Sequence, residues 1–111
     1  MDRLEGYRTI IKRMLQEYAQ VRPAGGTIEM ETVFDETHDH YELLALGWQG
    51  KRRVHGSIVH IDIKDGKVWL QHDSTDVAFA EQLVENGIPT EQIVLGFQPE
   101  QIRQYSGFAV N

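Results

Sequence analysis

The first twenty residues combine apolar and charged side chains with the period of a helix. Apolar residues recur at intervals of three and four, and charged residues fill the positions between them. This spacing places the apolar residues along one side of a helix. The pattern predicts an amphipathic α-helix over about residues 2 to 20, ended by Pro23 and the pair Gly25-Gly26.

After the glycines the apolar period changes to two, which is the period of half-buried β-strands. Asp65-Gly66 predicts a two-residue hairpin turn, because both central positions of that turn need positive φ. Gln49-Gly50 is a weaker turn signal between two strand-like runs. Four strands joined by short loops form an antiparallel meander, and they are predicted over Thr27 to Asp35, Tyr41 to Trp48, about Arg52 to Lys64, and Lys67 to Asp73.

The pattern becomes helical again after the fourth strand. Thr75 is predicted to cap a helix that ends at Asn86-Gly87, and Thr90 to cap a helical turn over Glu91 to Val94. A further helical turn is predicted through Arg103. The expected fold is one α+β domain over residues 1–111, with an N-terminal helix, a four-stranded antiparallel meander sheet and short C-terminal helices packed on the sheet.

Composition narrows the classes of function. Cysteine is absent, which excludes disulfides, cysteine-ligated zinc and thiol nucleophiles. The net charge of −6, from 17 acidic and 11 basic residues, repels the phosphate backbone of nucleic acids. No apolar run reaches the ~18 residues of a membrane span, and the N-terminus is charged. The sequence therefore predicts no membrane segment, no secretory signal and a cytoplasmic location.

Three consecutive basic residues form the candidate for direct DNA contact. Lys51, Arg52 and Arg53 lie at the tip of the predicted second hairpin. A solvated turn that protects a sheet edge with charge is one interpretation. Phosphate contact is the other, and in an acidic chain three basic residues supplement binding rather than supply it.

The stretch HGSIVHIDIKDGKVWLQHD, residues 55 to 73, concentrates histidine and aspartate and raises the question of a metal or catalytic site. A regular register extended from the predicted turn places His60 on the same face as Asp62. The same register places His55 and His72 on the opposite, apolar face. Side chains on opposite faces cannot converge on one ion, so no metal, cofactor or catalytic residue is predicted here.

Two other arrangements of these residue types are alternatives. His60 and Asp73 are diagonal neighbours in this register and predict a structural hydrogen-bonded pair, because no serine nucleophile or glycine-rich phosphate cradle adjoins them. His38, His40 and Asp35 share one side if their segment is extended. A small metal-dependent enzyme using these three residues is therefore a competing hypothesis.

The face of the predicted sheet that carries His60 has a mixed character. It is too apolar to be left to water and too polar for a core, and its aromatic and polar composition is that of a protein interface. Alternatively, the C-terminal segments fold over this mixed face while the first helix covers the other. The residues predicted to bind a protein partner on the mixed face are Tyr41, His60, Asp62, Trp69, Gln71 and Asp73.

Short runs spread over nearly the whole chain resemble the XisI family of excision controlling factors. The run of a tryptophan, a glycine and three basic residues before Val54-His55-Gly56 is the most specific of them. The matching runs are Asp39-His40-Tyr41, Gly47-Trp48, Arg53-Val54-His55-Gly56, His60-Ile61-Asp62-Ile63, Gly66-Lys67-Val68-Trp69, Asp73, Gly87-Ile88-Pro89, Ile93-Val94-Leu95-Gly96-Phe97, Arg103 and Phe108-Ala109-Val110.

The resemblance implies a cyanobacterial accessory protein that acts with a protein called XisH in the DNA rearrangement that excises the fdxN element during heterocyst differentiation. The recombinase is a separate protein, and the resemblance carries no catalytic residues over. The expected function is a non-enzymatic controlling factor that binds an XisH-like protein and meets nucleic acid indirectly at most. Because XisH looks nuclease-like, an antitoxin-like inhibitor or regulator is the alternative, and self-association stays open.

Overall fold

The computed structural model describes residues 2–21 and 27–111, which form a five-stranded sheet with the N-terminal helix packed on one face. The predicted helix stop at Pro23 and Gly25-Gly26 lies outside the described residues. No helix within the described ranges is long and apolar enough to cross a membrane. The elements are α1 Arg3–Tyr18, β1 Thr27–Asp35, β2 His40–Gln49, β3 Arg52–Lys64, β4 Lys67–Asp73, α2 Phe79–Glu85, a 3₁₀ turn Thr90–Gln92, β5 Ile93–Leu95 and α3 Glu100–Arg103.

Helix α1 is amphipathic, which confirms the prediction from the spacing of its apolar residues. Asp2 caps its N-terminus, because the Asp2 carboxylate accepts a hydrogen bond from the Glu5 backbone N–H at 2.8 Å. Tyr7, Ile11 and Leu15 project from its buried side into the core. Each fully buried aliphatic side chain of this kind contributes about 2 kcal/mol of transfer free energy, which holds the helix on the sheet.

The antiparallel meander of β1 to β4 is also confirmed. Asp65 and Gly66 form the β3–β4 turn with φ of 52° and 78°, as the hairpin signal requires. The β2–β3 turn lies one residue later than predicted, because Gln49 pairs with Arg52 and Gly50-Lys51 make the turn.

The predicted four-stranded sheet is incomplete, because a fifth strand follows the α2 segment. Strand β5 pairs in parallel with β4, with Val68 opposite Ile93 and Leu70 opposite Leu95. The helical turn predicted over Glu91 to Val94 therefore stops at Gln92. All three residues of β5 are buried, so it lacks the polar alternation that identifies a half-buried strand.

Neither predicted threonine cap is present. Helix α2 begins at Phe79 rather than next to Thr75. Asp73 organises the intervening loop by accepting hydrogen bonds from the Thr75 backbone N–H at 2.8 Å, from its hydroxyl at 2.6 Å and from the Phe79 N–H at 3.0 Å. Pro89 rather than Thr90 holds the cap position of the 3₁₀ turn, and no side chain caps it.

Two β-bulges in the meander change which side chains share a face. One interrupts the β2–β3 register between Leu43 and Leu44, and the other interrupts the β3–β4 register beyond Ile61. One extra residue in a strand turns every later side chain to the other face relative to its partner strand. Tyr41 therefore lies opposite Ile61, and both are fully buried against the helices.

The bulges also move two histidines. His72 pairs with His60, and His55 pairs with Leu46, so both lie on the sheet face turned away from α1. The prediction that His55 and His72 lie on the apolar face is wrong, because it extended a regular register past both bulges. We call the face turned away from α1 the outer face, and its residues include Glu29, Glu31, Val33, His40, Glu42, Trp48, His55, His60, Asp62, Trp69, Gln71 and His72.

The C-terminal segment covers only one end of the outer face. The Trp69 ring lies 4.4 Å from Lys64 Nζ and 5.2 Å from the Arg103 guanidinium carbon. Ala109 forms a parallel bridge to Val94, the residue of β5 that pairs with Trp69. The alternative that the C-terminal segments fold over this face is therefore correct only for β4 and β5, and β1 to β3 keep exposed or half-buried side chains. Partner binding on this face stays a prediction.

Candidate functional site

A carboxylate and two imidazoles meet on the outer face where β2 pairs with β3. His40 lies directly opposite Asp62, and His60 precedes Asp62 by two positions on the same strand. His40 Nδ1 is 2.7 Å and His60 Nε2 is 2.8 Å from the same oxygen, Asp62 Oδ1. Gln71 Nε2 donates to Asp62 Oδ2 at 3.1 Å. We call these four residues the His-Asp cluster.

The β2–β3 bulge creates this cluster. In a regular register Tyr41 would share the face of His60, and His40 would point to the helices. The extra residue lies on β3 between Ser57 and Val59, and it shifts the pairing so that Tyr41 shares the core face with Ile61 and His40 reaches Asp62. The bulge therefore completes the apolar core and assembles the polar cluster together.

The electrostatics of the cluster favour an ionised aspartate. Burial of Asp62 opposes ionisation, but hydrogen bonds from His40, Gln71 and His60 outweigh it and hold the pKa of Asp62 below its ordinary value. The hydrogen bond and the charge of Asp62 raise the pKa of His40. The Asp62 side chain is 14% exposed and that of His40 is 57% exposed, so the carboxylate is sheltered while one imidazole faces solvent.

The alternative set of His38, His40 and Asp35 is divided. Asp39 adopts a φ of 57°, so the segment turns instead of continuing as a strand. His38 Nδ1 pairs with Asp35 Oδ2 at 2.9 Å, while His40 pairs with Asp62. The His38 and His40 rings stack with centroids 6.5 Å apart, but their carboxylate partners differ. These three residues therefore do not converge, which argues against the competing hypothesis of a metal-dependent enzyme that uses them.

Of the six residues predicted to bind a partner, His60, Asp62 and Gln71 come together in the cluster. Trp69 lies on the same face under the C-terminal segment. Tyr41 was placed on this face wrongly: its ring is fully buried, and its hydroxyl donates to Asp39 Oδ1 at 2.8 Å.

Asp73 does not pair with His60, because it holds the loop before α2 and His60 bonds to Asp62. The predicted structural pair of these two residues is wrong for the same reason. The β3–β4 bulge removes the register on which it depended, because His60 lies opposite His72 and not Gln71.

The sequence analysis grouped His40 with His38 and Asp35 and did not predict its place in the His-Asp cluster. A signal for its place existed in the two apolar sets of the hairpin, Tyr41 with Leu43 and Val59 with Ile61. A regular β2–β3 register puts these two sets on opposite faces, whether it is counted from the predicted Gln49-Gly50 turn or from the observed Gly50-Lys51 turn. If both apolar sets enter one core, the strand pair must contain a bulge. That bulge places His40 beside Asp62.

The basic residues Lys51, Arg52 and Arg53 are all exposed around the β2–β3 turn, as predicted. The Arg53 guanidinium carbon lies 5.4 Å from the centroid of the Trp48 ring, and Arg53 Nη1 donates to the Gly47 carbonyl at 3.4 Å. Arg53 is thus partly engaged by its own hairpin, and Lys51 and Arg52 extend into solvent.

Comparisons with known proteins agree with the sequence motifs. The family model described as XisI protein matches residues 1–110. A solved XisI-like protein from Anabaena variabilis is 39% identical, with a TM-score of 0.90 and coverage of 98% of this chain and 100% of that chain. The solved fdxN element excision controlling factor XisI from the same organism is 33% identical, with a TM-score of 0.83 and coverage of 99% and 100%. No curated protein sequence matches. The predicted resemblance is confirmed, and the chain belongs to the XisI family.

Proposed function

We propose that the chain is a non-enzymatic accessory factor that controls a DNA-active complex by binding a protein partner of the XisH type. The Anabaena relative is named an fdxN element excision controlling factor, and that name describes control rather than catalysis. Programmed excision of a DNA element is the process in which we place this chain. The partner supplies the action on DNA, and this chain positions or restrains it.

The observation that carries the proposal is the uncovered part of the outer face, over β1 to β3. Val33 is 48% exposed and Trp48 is 49% exposed on this surface. Large apolar side chains among polar neighbours form the composition of a protein interface. Trp48 has the planar, amphipathic character of residues that dominate binding energy at interfaces.

The charge of this surface favours a basic protein patch over nucleic acid. Glu29, Glu31 and Glu42 lie on the outer face of β1 and β2, and the register places Asp35 beside them. A cluster of carboxylates repels a phosphate backbone and attracts lysine or arginine side chains. The surface therefore fits a partner that presents basic residues around an apolar centre.

A charge-reversal titration tests the proposal. A purified XisH-like protein is titrated by calorimetry with wild type and with a Glu29→Lys, Glu31→Lys double variant. Both glutamates are exposed, so the variant keeps the fold, and we expect at least tenfold weaker binding. The matched control is Glu81→Lys with Glu85→Lys on exposed positions of α2, which makes the same change in net charge. Equal loss in the control, or full affinity in the β1 variant, contradicts docking on the outer face.

A further inference from the structure

The His-Asp cluster has a geometry that goes beyond partner binding. We propose that His40, His60 and Asp62 form a binding site for a first-row transition-metal dication such as Zn²⁺, complete within one chain. One ligand atom from each residue lies within 4.8 Å of the other two. The site uses none of the exposed carboxylates of β1 and does not depend on a partner protein.

The distances suit metal binding after small side-chain movements. In tetrahedral zinc sites the ligand atoms lie about 2 Å from the metal and therefore about 3.3 Å from one another. The two nitrogens of the cluster now lie 2.7 and 2.8 Å from Asp62 Oδ1, so each must retreat by about 0.5 Å. His40 is more than half exposed and can make this movement by rotation of its side chain. The paired strands keep the three Cβ atoms in place.

The two imidazoles can exchange their hydrogen bonds to Asp62 for bonds to a metal ion, because their protons can move to the other ring nitrogens. A neutral imidazole carries one proton, which resides on either ring nitrogen. In the metal-free cluster the nitrogens facing Asp62 are the donors. When a cation binds, any second proton on His40 is released to solvent. The remaining proton of His40 occupies Nε2 and that of His60 occupies Nδ1, which leaves a lone pair at each facing nitrogen. The carboxylate is ionised and supplies the negative charge.

The donor set selects the class of metal. Two imidazole nitrogens and one carboxylate oxygen suit zinc, nickel, cobalt or iron, whereas magnesium and calcium prefer sites made of oxygen atoms. Gln71 bonds the other oxygen of Asp62 and orients the ligand oxygen toward the histidines, as outer-shell partners do in metal sites. The exposure of His40 leaves the remaining coordination positions open to water.

Calorimetric titration of the metal-free, tag-free full chain with zinc chloride tests the site, with magnesium chloride as the comparison. We expect one zinc per chain and no binding of magnesium. His40→Ala and His60→Ala are each expected to abolish the zinc heat, and Gln71→Ala to weaken binding about tenfold. His38→Ala and His55→Ala are matched controls that retain the wild-type affinity. Circular dichroism of each variant confirms that it is folded.

Three results would overturn the proposal. One is that the folded wild-type chain binds no zinc at ~0.1 mM, because a dissociation constant above that concentration is far weaker than those of structural zinc sites. Another is equal loss of binding in His38→Ala and His40→Ala, which would place the metal at the β1–β2 turn. The third is a stoichiometry of one zinc per two chains with a doubled mass in solution, because such a site is not complete within one chain.

Discussion

At the scale of single residues, Asp39 connects three parts of the molecule. Its carboxylate pairs with Arg8 of α1 through bonds of 2.7 and 3.1 Å and accepts the hydrogen bond from the buried Tyr41 hydroxyl. The side chains of Arg8 and Asp39 are both mostly buried, at 21% and 17% exposure. Two parallel bonds between charged groups in such a place are stronger than a surface ion pair. Asp39 therefore fixes α1 on the β1–β2 turn.

Replacing Asp39 by asparagine tests this role. Asparagine tolerates the positive φ of this position, so the backbone is retained and the charge is lost. We expect the free energy of unfolding to fall by about 2 kcal/mol at neutral pH, measured by urea denaturation. An unchanged free energy of unfolding would show that the Arg8 pair does not stabilise the fold.

The same pair makes a prediction about pH. The hydrogen bonds and charge of Arg8, with the Tyr41 hydroxyl bond, hold the pKa of Asp39 below its ordinary value despite partial burial. A carboxyl whose pKa is lower in the folded state stabilises the protein above its unfolded pKa of about 4 and loses that contribution as pH falls through the folded pKa. The difference in stability between wild type and Asp39→Asn is expected to be constant near neutrality and to shrink below about pH 4. A difference that grows on acidification would contradict this assignment.

At the scale of elements, the approach of β1 to β2 depends on a glycine. Gly47 has a φ of 149°, and a Cβ at this position would lie 2.1 Å from the Thr27 carbonyl oxygen. The obstructing atoms belong to the backbone of Thr27 and Ile28, so β1 itself would have to move. Gly56 on β3 has open space around the same added atom, which makes it a matched control.

We therefore expect Gly47→Ala to destabilise the fold by about 3 kcal/mol, through overpacking and backbone strain. Gly56→Ala should change stability by less than about 1 kcal/mol. Denaturant midpoints of the two variants measure the difference. Equal midpoints would mean that β1 adjusts to the added methyl group without losing its pairing.

The sequence predicted elements with local signals and missed those that depend on distant partners. The Asp65-Gly66 turn and the strands beside it were predictable, because the turn needs positive φ and the apolar period is local. Strand β5 has three residues, all buried, so neither length nor alternation distinguishes it from the preceding helical turn. Its partner β4 stabilises it, and a parallel partner leaves no turn signal.

The candidate site was partly predictable for a related reason. His60, Asp62 and Gln71 share a face by the simple alternation counted from the nearest turn. His40 joins them through a bulge, whose position depends on how Tyr41 and Leu43 pack against α1. Alternation within one strand carries no information about that packing. The face of His60 was therefore predictable from the sequence, but the convergence of His40 and His60 on Asp62 depends on how the core packs.

At the scale of the whole molecule, the distribution of charge favours a protein partner over a nucleic-acid partner. The chain carries a net charge of −6, and the basic residues Lys51, Arg52 and Arg53 extend from one hairpin. We expect the free chain to cause no shift of duplex DNA in a gel at about 50 mM salt. A shift that disappears when these three residues are replaced by alanine would establish direct phosphate contact and contradict a purely protein-mediated role.

The proposed function makes this chain one component of a protein complex. Co-expression with an XisH-like protein, followed by chromatography with light scattering, measures whether the two chains form such a complex. We expect one species whose mass equals the sum of both chains in a simple ratio. Two separate peaks, each with the mass of one protein alone, would contradict it.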